Sequence, residues 1–291
     1  MPVVFRFFSI FPLWLLHALG AAMGWVAFCA SPTYRRRFLA NSALAGYTWG
    51  AVRAAVAHAG RMVAELPRLW LGAPLPCRID GEACVEQAYA AGRGIVFLTP
   101  HQGCFELSAQ VAARRWSAER GPITVLYRPA RQPWLARVME TARNRPGMLA
   151  VPTTLSGVRQ MIKALRRGEA VGLLPDQVPP DGMGVWAPFY GRPAYTMTLA
   201  ARLVQQTGAT LLLIWAERLP AGSGWVLRVS AGPALPTTAA DDEALQVACA
   251  TTVNQAMEQL IDACPGQYLW GYNRYKQPRR AHPATGEEAA P

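Results

Sequence analysis

From residue 82 to residue 216 the chain alternates between two patterns, and this alternation restricts its fold more than any other feature. Segments at 82–91, 104–117, 133–144, 155–167 and 196–207 carry apolar residues at helical spacing. Between them lie short apolar, β-branched runs at 94–99, 122–127, 148–151, 169–174 and 209–216. A further strand pattern at 224–230 and a helical one at 242–263 follow. Short apolar runs bounded by glycine and proline read as strands buried on both faces, and their alternation with helices predicts an α/β fold. The expected architecture is a mostly parallel or mixed sheet flanked by helices. With 52% apolar residues in 291, the chain can bury a large core.

The N-terminal region reads differently. Residues 7–30 form an apolar run in which His17 is the only side chain able to carry charge. About 20 such residues can cross a hydrocarbon core, and Trp14 and Trp25 suit its interface. The run is too long for a signal-peptide core. Pro12 and the small Gly20-Ala21-Ala22 stretch also allow a helix lying in the interface, although crossing is the preferred reading. Arg35-Arg36-Arg37 follow at once, which places the remainder of the chain on the cytoplasmic side and suits anionic lipid. The division expected is a membrane anchor helix at 1–32, one large domain at 33–278 and a polar tail at 279–291. Residues 33–71 form a basic helical region that Pro67 bends or ends.

A net charge of +11 points to an anionic partner: nucleic acid, lipid head groups or a phosphorylated substrate. A membrane segment and the lack of any nucleic-acid motif argue against the first. The six cysteines show no CxxC and no metal-ligand spacing, so reduced thiols and no metal or cofactor are expected.

Three loops at strand ends carry chemistry-bearing residues, and in α/β folds strand ends of this kind gather at one edge. The first, Thr99-Pro-His-Gln-Gly-Cys-Phe-Glu106, puts His101 in a strand-to-helix turn with Glu106 five positions on. An imidazole beside a carboxylate is a general base for a hydroxyl. Spacing alone is weak, because 18 of 291 residues are acidic, about one in sixteen. His282 with Glu287 repeats the spacing in a polar tail with no strand or helix around it, and reads as a decoy. Cys104 offers a second, less favoured reading as a thiol nucleophile. After strand 122–127 come Arg128 and Arg131, which suit bidentate phosphate binding or a solvated turn. After strand 169–174 come Asp176 and Gln177, then a Pro/Gly-rich loop reaching Arg192. Asp176 reads equally as a loop cap.

Taken together these segments resemble the bacterial lipid A biosynthesis acyltransferases, a late lauroyl or myristoyl transferase group within the wider lysophospholipid acyltransferase-like proteins. The resemblance rests on Arg37-Phe-Leu-Ala-Asn41, on His101 to Glu106 against an H-x-G-N-W-E block, and on Tyr127-Arg-Pro129. It continues through Leu174-Pro-Asp-Gln177, Ala187 to Ala194, and Tyr268-Leu-Trp-Gly-Tyr-Asn-Arg-Tyr-Lys276. Cys104 and Phe105 depart from the block but leave the dyad intact.

The resemblance implies a glycerolipid acyltransferase-like fold at the cell inner membrane. It also implies transfer of a fatty acyl chain from acyl carrier protein to a hydroxyl of a phosphorylated glycolipid of the Kdo-lipid IVA type. His101 and Glu106 would be catalytic, and Arg128, Arg131, Asp176, Gln177 and Arg192 would bind substrate. Backbone N–H groups of Gly103 and Cys104 are candidate oxyanion donors. Two alternatives stay open: acylation of another membrane lipid, a lysophospholipid or glycolipid, and a non-catalytic lipid-binding membrane protein.

Overall fold

The computed structural model describes residues 2–127, 132, 139 and 145–279. Arg128, Arg131, nearly all of the 133–144 segment, and His282 with the tail beyond 279 lie outside these residues.

Five helices lead into the sheet: α1 (Pro2–Phe8), α2 (Leu13–Ala30), α3 (Pro32–Leu44), α4 (Trp49–Ala64) and α5 (Leu66–Leu71). The region expected as one bent helix is thus three. Ser31 caps α3 by accepting from the Tyr34 N–H, with Pro32 in the first turn, where its missing N–H costs nothing. Pro67 opens α5 in the same way. Strand β1 (Cys77–Asp80), helix α6 (Glu82–Ala90), strand β2 (Ile95–Leu98), helix α7 (Phe105–Arg120) and strand β3 (Ile123–Tyr127) come next. After the undescribed stretch the order is β4 (Met148–Pro152), α8 (Leu155–Arg166), β5 (Ala170–Leu173), β6 (Gly184–Phe189) and β7 (Arg192–Met197). The chain continues with α9 (Leu199–Thr207), β8 (Thr210–Arg218), β9 (Trp225–Ala231) and α10 (Asp242–Ala263).

Seven strands form one mixed sheet in the order β1-β9-β8-β2-β5-β3-β4. All neighbours pair in parallel except β8 and β9, which are antiparallel. The α/β expectation holds. Strand β1 and the β6–β7 hairpin were not foreseen; the hairpin forms a separate two-stranded sheet where a loop was expected.

The period-two geometry of a strand divides the core. Val96 and Leu98 of β2, with Leu213 and Trp215 of β8, join one cluster with Phe28, Phe38, Met257 and Trp270. Ile95, Phe97, Leu212 and Ile214 face the opposite layer with Leu107, Trp116 and Trp225. Fully burying one such aliphatic side chain is worth about 1.5–3 kcal/mol. Strands buried on both faces therefore hold the sheet rigidly beneath its loops.

Helix α2 is part of this body. Leu13, Leu16, His17, Gly20, Gly24 and Phe28 form its buried face. Gly20 and Gly24 let it approach α4 so closely that a Cβ at Gly24 would overlap the Val56 carbonyl oxygen, and one at Gly60 the Gly20 carbonyl. The other face exposes Trp14, Leu19, Met23, Trp25 and Val26. Helix α2 is also the one described helix long and apolar enough to cross a membrane.

Candidate active site

Parallel neighbours β2 and β5 end side by side, so the loops that follow them meet. The β2 loop carries His101 and the β5 loop carries Asp176 and Gln177. Asp176 accepts the His101 backbone N–H at 2.9 Å through Oδ2. Its Oδ1 lies 2.7 Å from His101 Nδ1. Asp176 is only 2% exposed. Burial by itself would raise its pKa, but the neighbouring His101, its two hydrogen bonds to the carboxylate and the nearby Arg274 hold it below the ordinary aspartate value. The carboxylate is therefore an acceptor, and Nδ1 carries the proton. That leaves the lone pair on Nε2, to which the Gln177 amide donates at 3.0 Å. Such a histidine is oriented at one nitrogen and basic at the other.

The carboxylate on the imidazole is thus Asp176, 75 positions away, where the sequence suggested Glu106. Glu106 sits in the first turn of α7 and accepts from Trp70 Nε1 at 3.4 Å. Between the two, the Phe105 ring packs on His101 with centroids 4.8 Å apart.

The turn is tightly framed. Gly103 takes φ +55, and a Cβ there would overlap the Ala216 carbonyl oxygen, so only glycine fits. The Gly103 N–H donates to the Gln267 carbonyl at 3.0 Å and the Cys104 N–H to that of Ala216 at 2.8 Å. Both candidate oxyanion donors are spent on the frame. The Leu269 N–H returns to the His101 carbonyl at 3.1 Å.

Cys104 is buried at the cap of α7, and burial followed by the Glu65 charge pushes its thiol well above the usual range. A thiol so disposed stays protonated, which counts against it as a nucleophile.

Tyr268 stands behind Asp176. Burial, then the Asp176 charge and a hydrogen bond to that carboxylate, raise its pKa well above the ordinary phenol value. It remains a neutral donor to Asp176, a contact that no short-range spacing reveals. Arg192 is exposed at the start of β7, with its guanidinium 4.8 Å over the Tyr275 ring. Nearby, the Val178 N–H donates to the Tyr272 hydroxyl at 3.0 Å, and Lys276 lies 4.9 Å over the Tyr272 ring. Arg192 and Lys276 thus each lie over a tyrosine of the C-terminal segment.

An apolar pocket of about 50 Å³ opens beside the turn. Phe97, Thr99, Phe105, Ala109, Leu173 and Ile214 are among its walls. Phe105 belongs to both places: its ring touches the imidazole and lines the cavity. Among the described residues no group of histidine, cysteine and carboxylate side chains could hold a metal ion.

These features define an α/β protein with an oriented histidine at its strand ends and an apolar chamber alongside. The chain belongs to the bacterial lipid A biosynthesis acyltransferase family, whose model matches residues 4–277. It is 28% identical over 199 residues to the lipid A biosynthesis lauroyltransferase of Escherichia coli (strain K12), a match covering 68% of this chain and 61% of that protein. It is 25% identical to that organism's lipid A biosynthesis palmitoleoyltransferase over a match of the same extent. With the lipid A biosynthesis acyltransferase of Haemophilus influenzae the identity is 23% over 186 residues, covering 64% of this chain and 55% of the relative. The matched region spans less than two thirds of each relative's length.

Proposed function

We propose that this protein transfers a fatty acyl chain from acyl carrier protein to a hydroxyl of a phosphorylated glucosamine lipid, a lipid A precursor of the Kdo-lipid IVA type. The observation that carries this reading is the His101 imidazole, held at Nδ1 by Asp176 and flanked by an apolar cavity that shares Phe105 with it. The acyl chain lies in the cavity, with its thioester at the mouth. The acceptor hydroxyl displaces the Gln177 amide from Nε2 and gives its proton to that nitrogen as its oxygen attacks the thioester carbonyl. The new C–O bond forms, the C–S bond breaks, and the carrier's thiolate takes the proton back from the imidazolium. No acyl-enzyme is needed.

We assign the orienting role to Asp176. Glu106, one residue past the ring that packs on His101, adds a second carboxylate that favours the imidazolium. Arg128 and Arg131 bind acceptor phosphates, assisted by Arg192 and Lys276.

Helix α2 rests on the membrane rather than crossing it. Its polar residue His17 and its glycines face the protein, and Trp14, Leu19, Met23, Trp25 and Val26 face outward. Arg35 donates to the Phe28 and Cys29 carbonyls at the end of α2, while Arg36 and Arg37 are exposed toward anionic head groups. We assign the site to the cytoplasmic face of the inner membrane, a reading that the arginines after α2 support. Mass spectrometry of lipid A from a deletion strain and its complemented partner tests the function. Loss of one acyl chain, restored by the gene, is expected; identical lipid A in both strains contradicts it.

A further inference from the structure

Away from His101 the molecule buries a second charged cluster. Arg218, the last residue of β8, is 2% exposed and Glu65, at the end of α4, is fully buried. Their side chains form a two-pronged ion pair, Nε to Oε2 at 3.0 Å and Nη2 to Oε1. His17 of α2 completes the cluster, with Nε2 at 3.0 Å from Glu65 Oε2. His58 Nδ1 lies 3.0 Å from Arg218 Nη1, and Arg61 lies beyond it at 3.1 Å from His58 Nε2. Burial, then Arg218 and Arg61, lower the His58 pKa to about 3, so this ring is neutral. Glu65 stays ionised at about 2, since Arg218 and His17 outweigh its burial.

A buried ion pair is a poor stabiliser, because desolvation offsets much of its attraction. Arg218 makes one contact that an apolar substitute could not. Its Nη2 donates to the Gly103 carbonyl at 3.0 Å, two residues from His101. Its backbone is clamped by Gln267, whose side chain accepts from the Arg218 N–H and donates to the Arg218 carbonyl, each at 2.9 Å. The Gln267 carbonyl in turn accepts the Gly103 N–H. Gly103 is therefore held at both its N–H and its C=O by one closed ring of hydrogen bonds.

We propose that Arg218 is a positioning residue for the turn that carries His101, and that helix α2, through His17 and Glu65, belongs to the frame that holds this turn. The apolar helix is then part of the catalytic architecture as well as a membrane contact. This inference rests on His101 being the catalytic base. An Arg218 guanidinium released from Gly103 leaves the turn free to rotate, which misplaces Nε2 and slows the chemical step without weakening acceptor binding.

The test uses the purified full chain, with acyl-transfer kinetics and hydrogen exchange of the 99–107 segment measured side by side. Arg218→Lys keeps the charge but loses the fork. The double variant Glu65→Leu with Arg218→Met removes the pair without leaving a lone buried charge, so it reports even if the single variant fails to fold. In both, kcat should fall at least about tenfold, the factor that about 1.4 kcal/mol represents. Acceptor KM should stay within about twofold, and exchange at the turn should quicken by a similar tenfold. His17→Leu should move in the same direction, and His17→Gln, which can still donate to Glu65, should recover most of the loss. Unchanged kcat and exchange in the double variant would overturn the proposal, as would a rise in KM alone. If the wild-type chain transfers no acyl group, the proposed function fails, and the exchange data still decide whether Arg218 holds the turn.

Discussion

At the level of single residues, the strand-to-helix context singled out His101, while the carboxylate at its Nδ1 in the structure comes from a distant part of the chain. Five-residue spacing pointed to Glu106, whereas Asp176 reaches His101 only because β2 and β5 are neighbours in the sheet. That adjacency is a tertiary fact, invisible to any short window. The candidate N–H groups of Gly103 and Cys104 show the same limit, since their acceptors come from residues 267 and 216.

We expect Asp176→Asn to lower kcat by roughly 10²–10⁴-fold, the usual span for acid–base assistance, and Glu106→Gln to cost less. Steady-state kinetics of the two variants would rank them; a larger loss at Glu106 would return the orienting role to that residue. Because the Asp176 pKa is depressed in the fold, its stabilising contribution is present above the ordinary aspartate pKa. It is lost as pH falls through the lower folded value.

Arg128→Ala and Arg131→Ala should raise acceptor KM by about ten- to a hundredfold, the worth of a charge-assisted hydrogen bond, with smaller effects on the donor. A dephosphorylated acceptor checks this. If wild type and variants lose equally on dephosphorylation, these arginines are not the phosphate ligands.

Among the elements, the long periodic ones were legible and the irregular ones were not. Helix α10 matches its expected range of 242–263 residue for residue. The β6–β7 hairpin was missed because Pro188 and Pro193 lie inside its strands, where proline usually speaks against a strand. They are tolerated because they face one another in a two-stranded sheet, each leaving no partner in need of its N–H.

The α2–α4 contact was also hidden, since the Gly20-Ala21-Ala22 stretch read only as allowing a helix in the interface, whereas Gly20 and Gly24 are packing sites. Gly24→Ile should therefore destabilise the protein by at least about 1–3 kcal/mol, the cost of overpacking. Gly50→Ala, where a Cβ meets nothing closer than 3.9 Å, should leave stability unchanged or raise it by up to about 1 kcal/mol. Denaturant midpoints of the two variants check this, and equal midpoints would show that α2 does not pack tightly on α4.

For the whole molecule, the charge of +11 becomes intelligible once its placement is seen. Arg35 is consumed in closing α2, Arg218 and Arg274 are buried, and Arg36, Arg37, Arg192 and Lys276 remain near the surface. The exposed apolar face of α2 and these cations suit an anionic bilayer. Cell fractionation should find the protein with membranes, and Met23→Glu with Val26→Glu should shift it toward the soluble fraction while the fold persists. An unshifted distribution would count against α2 as the membrane contact.

The account turns on one histidine doing the chemistry at these strand ends. The most direct test is acyl transfer by the purified chain, with dodecanoyl acyl carrier protein as donor and a Kdo-lipid IVA acceptor, the product being weighed by mass spectrometry. His101→Ala should abolish the acylated product, while His282→Ala, which has the same five-residue spacing to a carboxylate, should leave it unchanged. Undiminished product from His101→Ala would contradict the account.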